Sequence, residues 1–432
     1  MVSYSQPGVV VTDHTFSVPL DHASPDGERI EIFAREVAPA ARPSGAAGDA
    51  GLPWLVYLQG GPGFGGPRLV GRDSWLDRAL AGFRVLLLDG RGTGRSTPVS
   101  RHSLAARGSP AEQAEYLSRF RADAIVADAE LVRRELTGGQ PWSVLGQSFG
   151  GFCALTYLSF APEGLAEAFI TGGLAGLDAS AADVYRLTYP KVKARSLAHY
   201  QHYPMDEAQA RAVARHLHTR DVRLPGGGRL TVEAFQSLGR MLGGSSGSHE
   251  LHYLLEDPFT CGQLSDAFLA QVQARLSFAA GPLYALLHEA CFGQGAATGW
   301  AAQRVRAEFG EFDPAAALDG TAPLLFTGEM IYPWMLELDP VLAPVRAAGE
   351  AIAAWEGWPP LYDPARLAQN QVPAAAAVYF HDMYVPAEFS LPTAEAVRGL
   401  RAWVTNEYEH DGLRVSGGKV LDRLIALARG LA

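Results

Sequence analysis

Hydrophobic and polar residues follow two different rhythms along this chain. Residues 15–20 (TFSVPL) and 29–37 (RIEIFAREV) alternate apolar and polar side chains. That period of two predicts a pair of antiparallel strands at a sheet edge. Small residues and prolines between 38 and 52 predict a loop. Further on, WLVYLQGG (54–61), RVLLLD (84–89), WSVLGQ (142–147) and AEAFITGG (166–173) are short, continuous apolar runs. Such runs suit strands of a parallel sheet, buried on both faces. Residues 121–136 (RADAIVADAELVRREL) and 149–161 (FGGFCALTYLSFA) carry helical spacing between those strands. The alternation predicts an α/β fold with a mostly parallel central sheet and helices on both faces.

From about residue 180 the rhythm changes. Residues 180–316 are rich in Ala, Leu, Arg, Gln and His at helical spacing, with glycine breaks at 225–228 and 243–248. This stretch predicts a helical insertion covering the sheet. Strand patterns resume at APLLFTGEM (322–330) and AAAAVYF (374–380), and helices are predicted at about 393–404 and 417–430. The expected organisation is therefore a core in two parts, 1–179 and 317–432, with a helical cap at 180–316.

Composition narrows the function classes. The chain has 432 residues, 48% of them hydrophobic, which is ample for a large core with an inserted subdomain. Its net charge is −10 with no basic block, which argues against nucleic acid as a partner. Cys153, Cys261 and Cys291 lie far apart without zinc or disulfide spacing and read as small core residues in a reducing compartment. The N-terminal segment lacks a signal pattern, and no apolar run approaches the ~20 residues of a membrane span, so a cytoplasmic protein without a membrane partner is expected. HELH (249–252) and HEAC (288–291) do not place two histidines at i and i+4 around a glutamate, so neither predicts a metal site. No Walker sequence or G-x-G-x-x-G occurs, and no cofactor is expected.

The chemistry concentrates in Gly146-Gln147-Ser148-Phe149-Gly150, between a predicted buried strand and a predicted helix. G-x-S-x-G in that setting is the nucleophile elbow of an α/β-hydrolase fold, a tight turn that lifts the serine hydroxyl off the sheet. The helix N-terminus beside it offers backbone N–H groups to a developing oxyanion. A second glycine turn, Gln59-Gly60-Gly61-Pro62-Gly63, also follows a strand, and the Gly61 and Phe149 N–H groups are the candidate oxyanion hole. In this fold the acid and then the histidine follow the serine along the chain. Asp382 stands at a predicted strand end and His410 in a polar turn before the last helix, which makes Ser148, Asp382 and His410 the candidate triad. Asp339, Asp363 and Asp411 are less well placed and read as turn or cap residues, and His381 as structural.

Together LQGGPG (58–63), LLLDGRGTGRS (86–96), GQSFGG (146–151), YFHDMYVP (379–386) and NEYEHDGLR (406–414) resemble the prolyl aminopeptidase (proline iminopeptidase) family, in its larger-subunit branch. The resemblance runs over nearly the whole chain. It implies a cofactor-free α/β-hydrolase with a helical cap that removes proline from the N-terminus of small peptides. It also implies that the nucleophile, acid and base fall on Ser148, Asp382 and His410. Two positions depart from the usual pattern: Gln59 replaces a histidine in the oxyanion loop, and Gly90 lies between Asp89 and Arg91, which read as shaping the site floor. Such an enzyme must hold a charged α-amine, and carboxylates near the first residue would do so. LYALLHEACFGQG (283–295) resembles the cap helix that carries one of them and points to Glu289. GEMIYPWM (328–335) offers Glu329 as a second. Phe292, Tyr332 and Trp334 are candidate walls for a proline pocket. The competing expectation is an esterase or amidase of the same fold, because the triad alone does not distinguish these activities.

Overall fold

The structure is a computed structural model and describes residues 2–40, 51–71 and 74–431, so most of the loop predicted at 38–52 lies outside the described residues. Among the described residues there are eleven strands: β1 Val2–Gln6, β2 Val9–Pro19, β3 Arg29–Pro39, β4 Trp54–Leu58, β5 Arg84–Leu88, β6 Trp142–Gln147, β7 Leu165–Thr171, β8 Phe259–Thr260, β9 Gln263–Leu264, β10 Ala374–Tyr379 and β11 Leu400–Thr405. Nine of them form one sheet in the order β1-β2-β3-β5-β4-β6-β7-β10-β11. The alternating N-terminal runs pair antiparallel, Val9 opposite Pro39 through Pro19 opposite Arg29, and β3 pairs antiparallel with β5. From β5 to β11 every pairing is parallel.

The continuous apolar runs fill both faces of this sheet. Val56, Leu58, Val144 and Ile170 point into one core with helices Ala122–Thr137 and Phe149–Phe160. Leu55, Tyr57, Leu145 and Phe169 point into the other with helices Ser74–Leu80 and Lys419–Ala428. Every residue of β6 and β10 is buried. The chemistry-bearing turns therefore leave the carboxyl ends of the central strands, where an open α/β sheet presents ligands.

Two predicted elements are corrected. Residues 322–330 form no strand. Leu324, Leu325 and Phe326 are buried among cap residues, and their backbone groups bond to the cap instead of a ladder. Tyr200 donates to the Leu324 carbonyl at 2.7 Å, Gln236 Nε2 to that of Leu325 at 2.8 Å, and Thr327 N–H to that of Gln236 at 2.8 Å. The apolar run signalled burial, and side chains of neighbouring helices supplied the partners a sheet would have given. The helical layer accordingly continues past 316 through Pro333–Leu338 and Arg346–Ala353 before the sheet resumes at β10. The helix predicted at 393–404 holds only as far as Ala396. Helix Ala387–Ala396 ends there, Gly399 takes φ +76°, and residues 400–405 pair with β10 as the edge strand β11. Cys153 and Cys291 are buried as expected, whereas Cys261 is exposed in the β8–β9 turn.

Asp89 and Arg91, at the end of β5, fix the loops that flank the site. Asp89 is fully buried and accepts from Gly66 N–H at 2.7 Å, from Arg95 N–H at 2.8 Å and from both Arg68 nitrogens. Arg91 is equally buried, forks onto Asp128 at 2.8 and 2.6 Å, and donates to the carbonyls of Leu20 and Arg119. Removing one member of such a pair leaves an uncompensated buried charge. Arg91→Met is expected to cost about 3–5 kcal/mol in a denaturant titration, while Arg78→Ala, which breaks the more exposed pair with Asp422, costs less than about 1 kcal/mol. Equal losses in the two variants would contradict this account.

Candidate active site

Ser148 lies between the last residue of β6 and the helix Phe149–Phe160, with φ 56° and ψ −123°. A non-glycine residue there costs on the order of 1–3 kcal/mol and persists only where its surroundings over-determine it. The surroundings do so here by close backbone contact. A Cβ on Gly146 would stand 2.2 Å from the Gly150 carbonyl oxygen, and one on Gly150 only 1.9 Å from that of Leu58. The helix thus presses onto β6 and β4, and Ser148 N–H is held by the Thr171 carbonyl at 3.0 Å.

The turn after β4 lies against this elbow. A Cβ on Gly60 would come within 3.0 Å of that of Ser148. Gly61 takes φ +139°, a conformation that favours glycine. Gly61 and Ser148 line the same pocket. Among the described residues neither the Gly61 nor the Phe149 N–H donates to another group.

Asp382 and His410 come together as the sequence order requires. The His410 Nδ1–H donates to Asp382 Oδ2 at 2.6 Å. The other carboxylate oxygen accepts from Tyr384 N–H at 2.8 Å and Val385 N–H at 3.1 Å, so the turn after β10 fixes the carboxylate. Burial alone would push the His410 pKa down, but the Asp382 charge and hydrogen bond, with the charge of Glu329, leave it raised above an ordinary imidazole. The Tyr384 ring stands edge-on to the imidazole at 4.7 Å. Of the alternative acids, Asp363 caps the helix Pro364–Leu367, Asp339 accepts from Val341 N–H, and Asp411 accepts from Ser245. His381 is exposed against Phe380.

The two candidate amine ligands part company. Glu329 lines the pocket with Gly61, Ser148, Arg240, Tyr284 and His410, in a cavity of about 420 Å³. Tyr284 hydroxyl donates to its Oε1, and His288 Nε2 lies 3.6 Å from its Oε2. Burial would raise this carboxyl, but His288, the tyrosine hydrogen bond and His410 hold it well below the usual carboxylate range. Glu289 is turned away from the pocket. Its oxygens accept from Ala301 N–H at 2.9 Å and Ala302 N–H at 2.8 Å, at the first turn of the helix Ala301–Arg306. It is 6% exposed, and burial raises its pKa against those hydrogen bonds. The expectation that Glu289 binds substrate is therefore corrected: its charge is answered by a helix N-terminus. The expected proline-pocket walls also lie elsewhere. Phe292 packs on Phe152, and Trp334 stacks on Tyr332, while Phe64, Tyr284 and Tyr384 supply the rings of the pocket. Tyr284 and His288 stand one turn apart in the very segment that drew attention to Glu289, and polar tips at i and i+4 among apolar residues were the available signal. Arg240 carried no such signal.

An elbow serine, with an acid–base pair in the turns after two further parallel strands, defines a serine hydrolase of the α/β-hydrolase class. The known proteins agree. The α/β hydrolase fold family matches residues 53–217. Esterase E22 shares this fold at a TM-score of 0.50 and 11% identity, over 98% of this chain and 100% of that one. The chain is 51% identical over 427 residues to a proline iminopeptidase of Aeromonas sobria, covering 99% of this chain and 98% of that protein. It is 35% identical over 436 residues to a proline iminopeptidase of Aspergillus aculeatus, covering 98% and 95%. The chain belongs to the proline iminopeptidase family.

With His410 as the proposed base, its raised pKa is expected to set the acid limb of activity. The base works as neutral imidazole, so kcat/KM rises with pH through a midpoint above the ordinary imidazole value of about 6.5. Glu329→Gln removes a negative charge that favours imidazolium, and the midpoint of whatever activity remains is expected to move down. A midpoint that stays put or moves up would show that Glu329 does not act on His410.

Proposed function

We propose that this chain is a serine aminopeptidase that releases N-terminal proline from small peptides through an acyl-enzyme, and that it works in the cytoplasm. Among the described residues no helix is long and apolar enough to cross a membrane. The observation that carries the substrate assignment is Glu329, a half-buried carboxylate in the same pocket as Ser148 and His410. A carboxylate there is a costly feature for an ester or a blocked peptide, and a fitting partner for a free ammonium. The names of the two relatives point the same way.

The steps follow from the geometry. The substrate's ammonium pairs with Glu329, which sets the first carbonyl carbon beside Ser148. His410 takes the Ser148 proton as the hydroxyl attacks, and Asp382 holds the imidazole tautomer and stabilises the imidazolium. The Gly61 and Phe149 N–H groups bind the oxyanion, each worth about 3 kcal/mol in the transition state. His410 then gives the proton to the departing amine, which leaves with the rest of the peptide. Water, deprotonated by His410, attacks the prolyl ester and releases proline.

Hydrolysis of proline anilide, its N-acetylated form and alanine anilide tests the assignment, with Ser148→Ala as the blank. Cleavage of the free-amine proline compound over the other two is expected. Glu329→Gln should lower its kcat/KM about 100-fold, a lost charge pair of about 3 kcal/mol. Glu289→Gln should lower Tm and keep the preference for the free amine. Ser148-dependent hydrolysis of simple esters with no anilide cleavage would replace the aminopeptidase with an esterase.

A further inference from the structure

One cap residue touches both ends of the chemistry. Tyr284 lies in the short helix Pro282–Leu287 and is 3% exposed. Its backbone is seated on the oxyanion loop: a Cβ on Gly63 would stand 2.5 Å from Tyr284 N and 3.0 Å from the Leu283 carbonyl carbon. Its neighbour Gly281 meets the same loop, where an added Cβ would come within 2.9 Å of the Gly63 carbonyl oxygen. The ring packs on Phe64 at 5.3 Å and stacks on Phe278 at 5.0 Å, with the Arg240 guanidinium 5.6 Å from its centre. Its hydroxyl donates to Glu329. Burial, then the charge of Glu329, keeps the phenol protonated, so it remains a donor.

An aminopeptidase must measure a short distance. In an α-amino acid only one carbon separates the amine from the carbonyl that is attacked. The carboxylate that holds the amine and the N–H groups that hold the oxyanion must therefore be kept at a fixed separation. Misplacement by about 1 Å is enough to cost about 100-fold in rate. Glu329 follows an irregular segment of the cap, while Gly61 belongs to the core, so neither element sets that separation alone.

We infer that Tyr284 is the positioning residue that sets this separation, with its main chain against the oxyanion loop and its hydroxyl on Glu329. The inference rests on the aminopeptidase reading and deepens it. Tyr284 acts through Glu329 and makes the site selective for an amine on the carbon next to the scissile carbonyl.

The test compares proline anilide with the anilide of β-homoproline, whose amine lies one carbon farther from the carbonyl. Tyr284→Phe keeps the ring and deletes the hydroxyl, and Tyr284→Leu is made in parallel in case one variant does not fold. Labelling of Ser148 by a small neutral fluorophosphonate reports the intact elbow and oxyanion hole without an amine. The labelling rate of each variant is the reference against which its anilide kcat/KM values are read. The kcat/KM for proline anilide should fall about 10- to 100-fold, and that for β-homoproline anilide by less than about 3-fold, so the preference between them collapses. The double variant Tyr284→Phe, Glu329→Gln should be no slower than Glu329→Gln alone, because a residue that acts through another adds nothing once its target is gone. Equal losses on both anilides, or additive losses in the double variant, would make Tyr284 a structural residue only. A wild-type enzyme that depends on Glu329 and a Tyr284→Phe variant that keeps the wild-type preference would sink this inference and leave the aminopeptidase standing. A wild-type enzyme indifferent to the free amine would sink both.

Discussion

The site depends on a backbone crossing with no room for a side chain. The helix Phe149–Phe160 meets β4 and its own strand so closely that a methyl group at Gly150 would lie 1.9 Å from the Leu58 carbonyl oxygen. This contact holds Ser148 at positive φ, points the helix N-terminus at the pocket, and brings the turn after β4 alongside Ser148. The strain at Ser148 is small compared with the burial of two cores on either side of the sheet, so the fold can sustain it. Every other feature of the chemistry is arranged around that fixed point.

Charge is the second constraint. Two carboxylates, Asp382 and Glu329, act on one imidazole, and they are held by different partners. Asp382 has backbone N–H groups on one oxygen and His410 on the other, which leaves it no freedom to serve a substrate. Glu329 is held by one tyrosine hydroxyl and stands 3.6 Å from a histidine, an arrangement that leaves capacity for an incoming ammonium. The buried Glu289 has the opposite fate. Two N–H groups of a helix end already answer its charge, and it can take no ligand without giving up that helix.

Much of this was legible in the sequence. Continuous apolar runs located β4, β5, β6, β7 and β10, and the glycines of the elbow and of the turn after β4 marked backbone approaches that only glycine permits. The order serine, acid, histidine selected Asp382 and His410 among several candidates. What failed did so for identifiable reasons. The run 322–330 is as apolar as a central strand, but cap side chains satisfy its backbone, and periodicity does not reveal who supplies a hydrogen bond. β11 has largely exposed or half-exposed side chains, as an edge strand can, and its Ala, Leu and Arg content imitates a helix until Gly399 is taken into account. Glu289 and Glu329 both sit among apolar neighbours, so local composition could not separate a capped carboxylate from a free one.

That ambiguity bears on how a cap confers specificity on a common core. The elbow, the turn after β4 and the acid–base pair are core features and define only acyl transfer. The cap adds the carboxylate of Glu329, and in the proposed reaction its value lies in its distance from the N–H groups of the turn after β4 and of the elbow. A charge delivered by a separate layer is useful only if the interface between layers is rigid at that point. The contact between the Gly63 backbone and the helix Pro282–Leu287 is tight enough to exclude a methyl group, and the helix runs directly from it to the tyrosine that holds Glu329. On the proposed role of Glu329, specificity for a free amine would have its physical seat at the layer interface, while the sheet below supplies chemistry that many substrates could share.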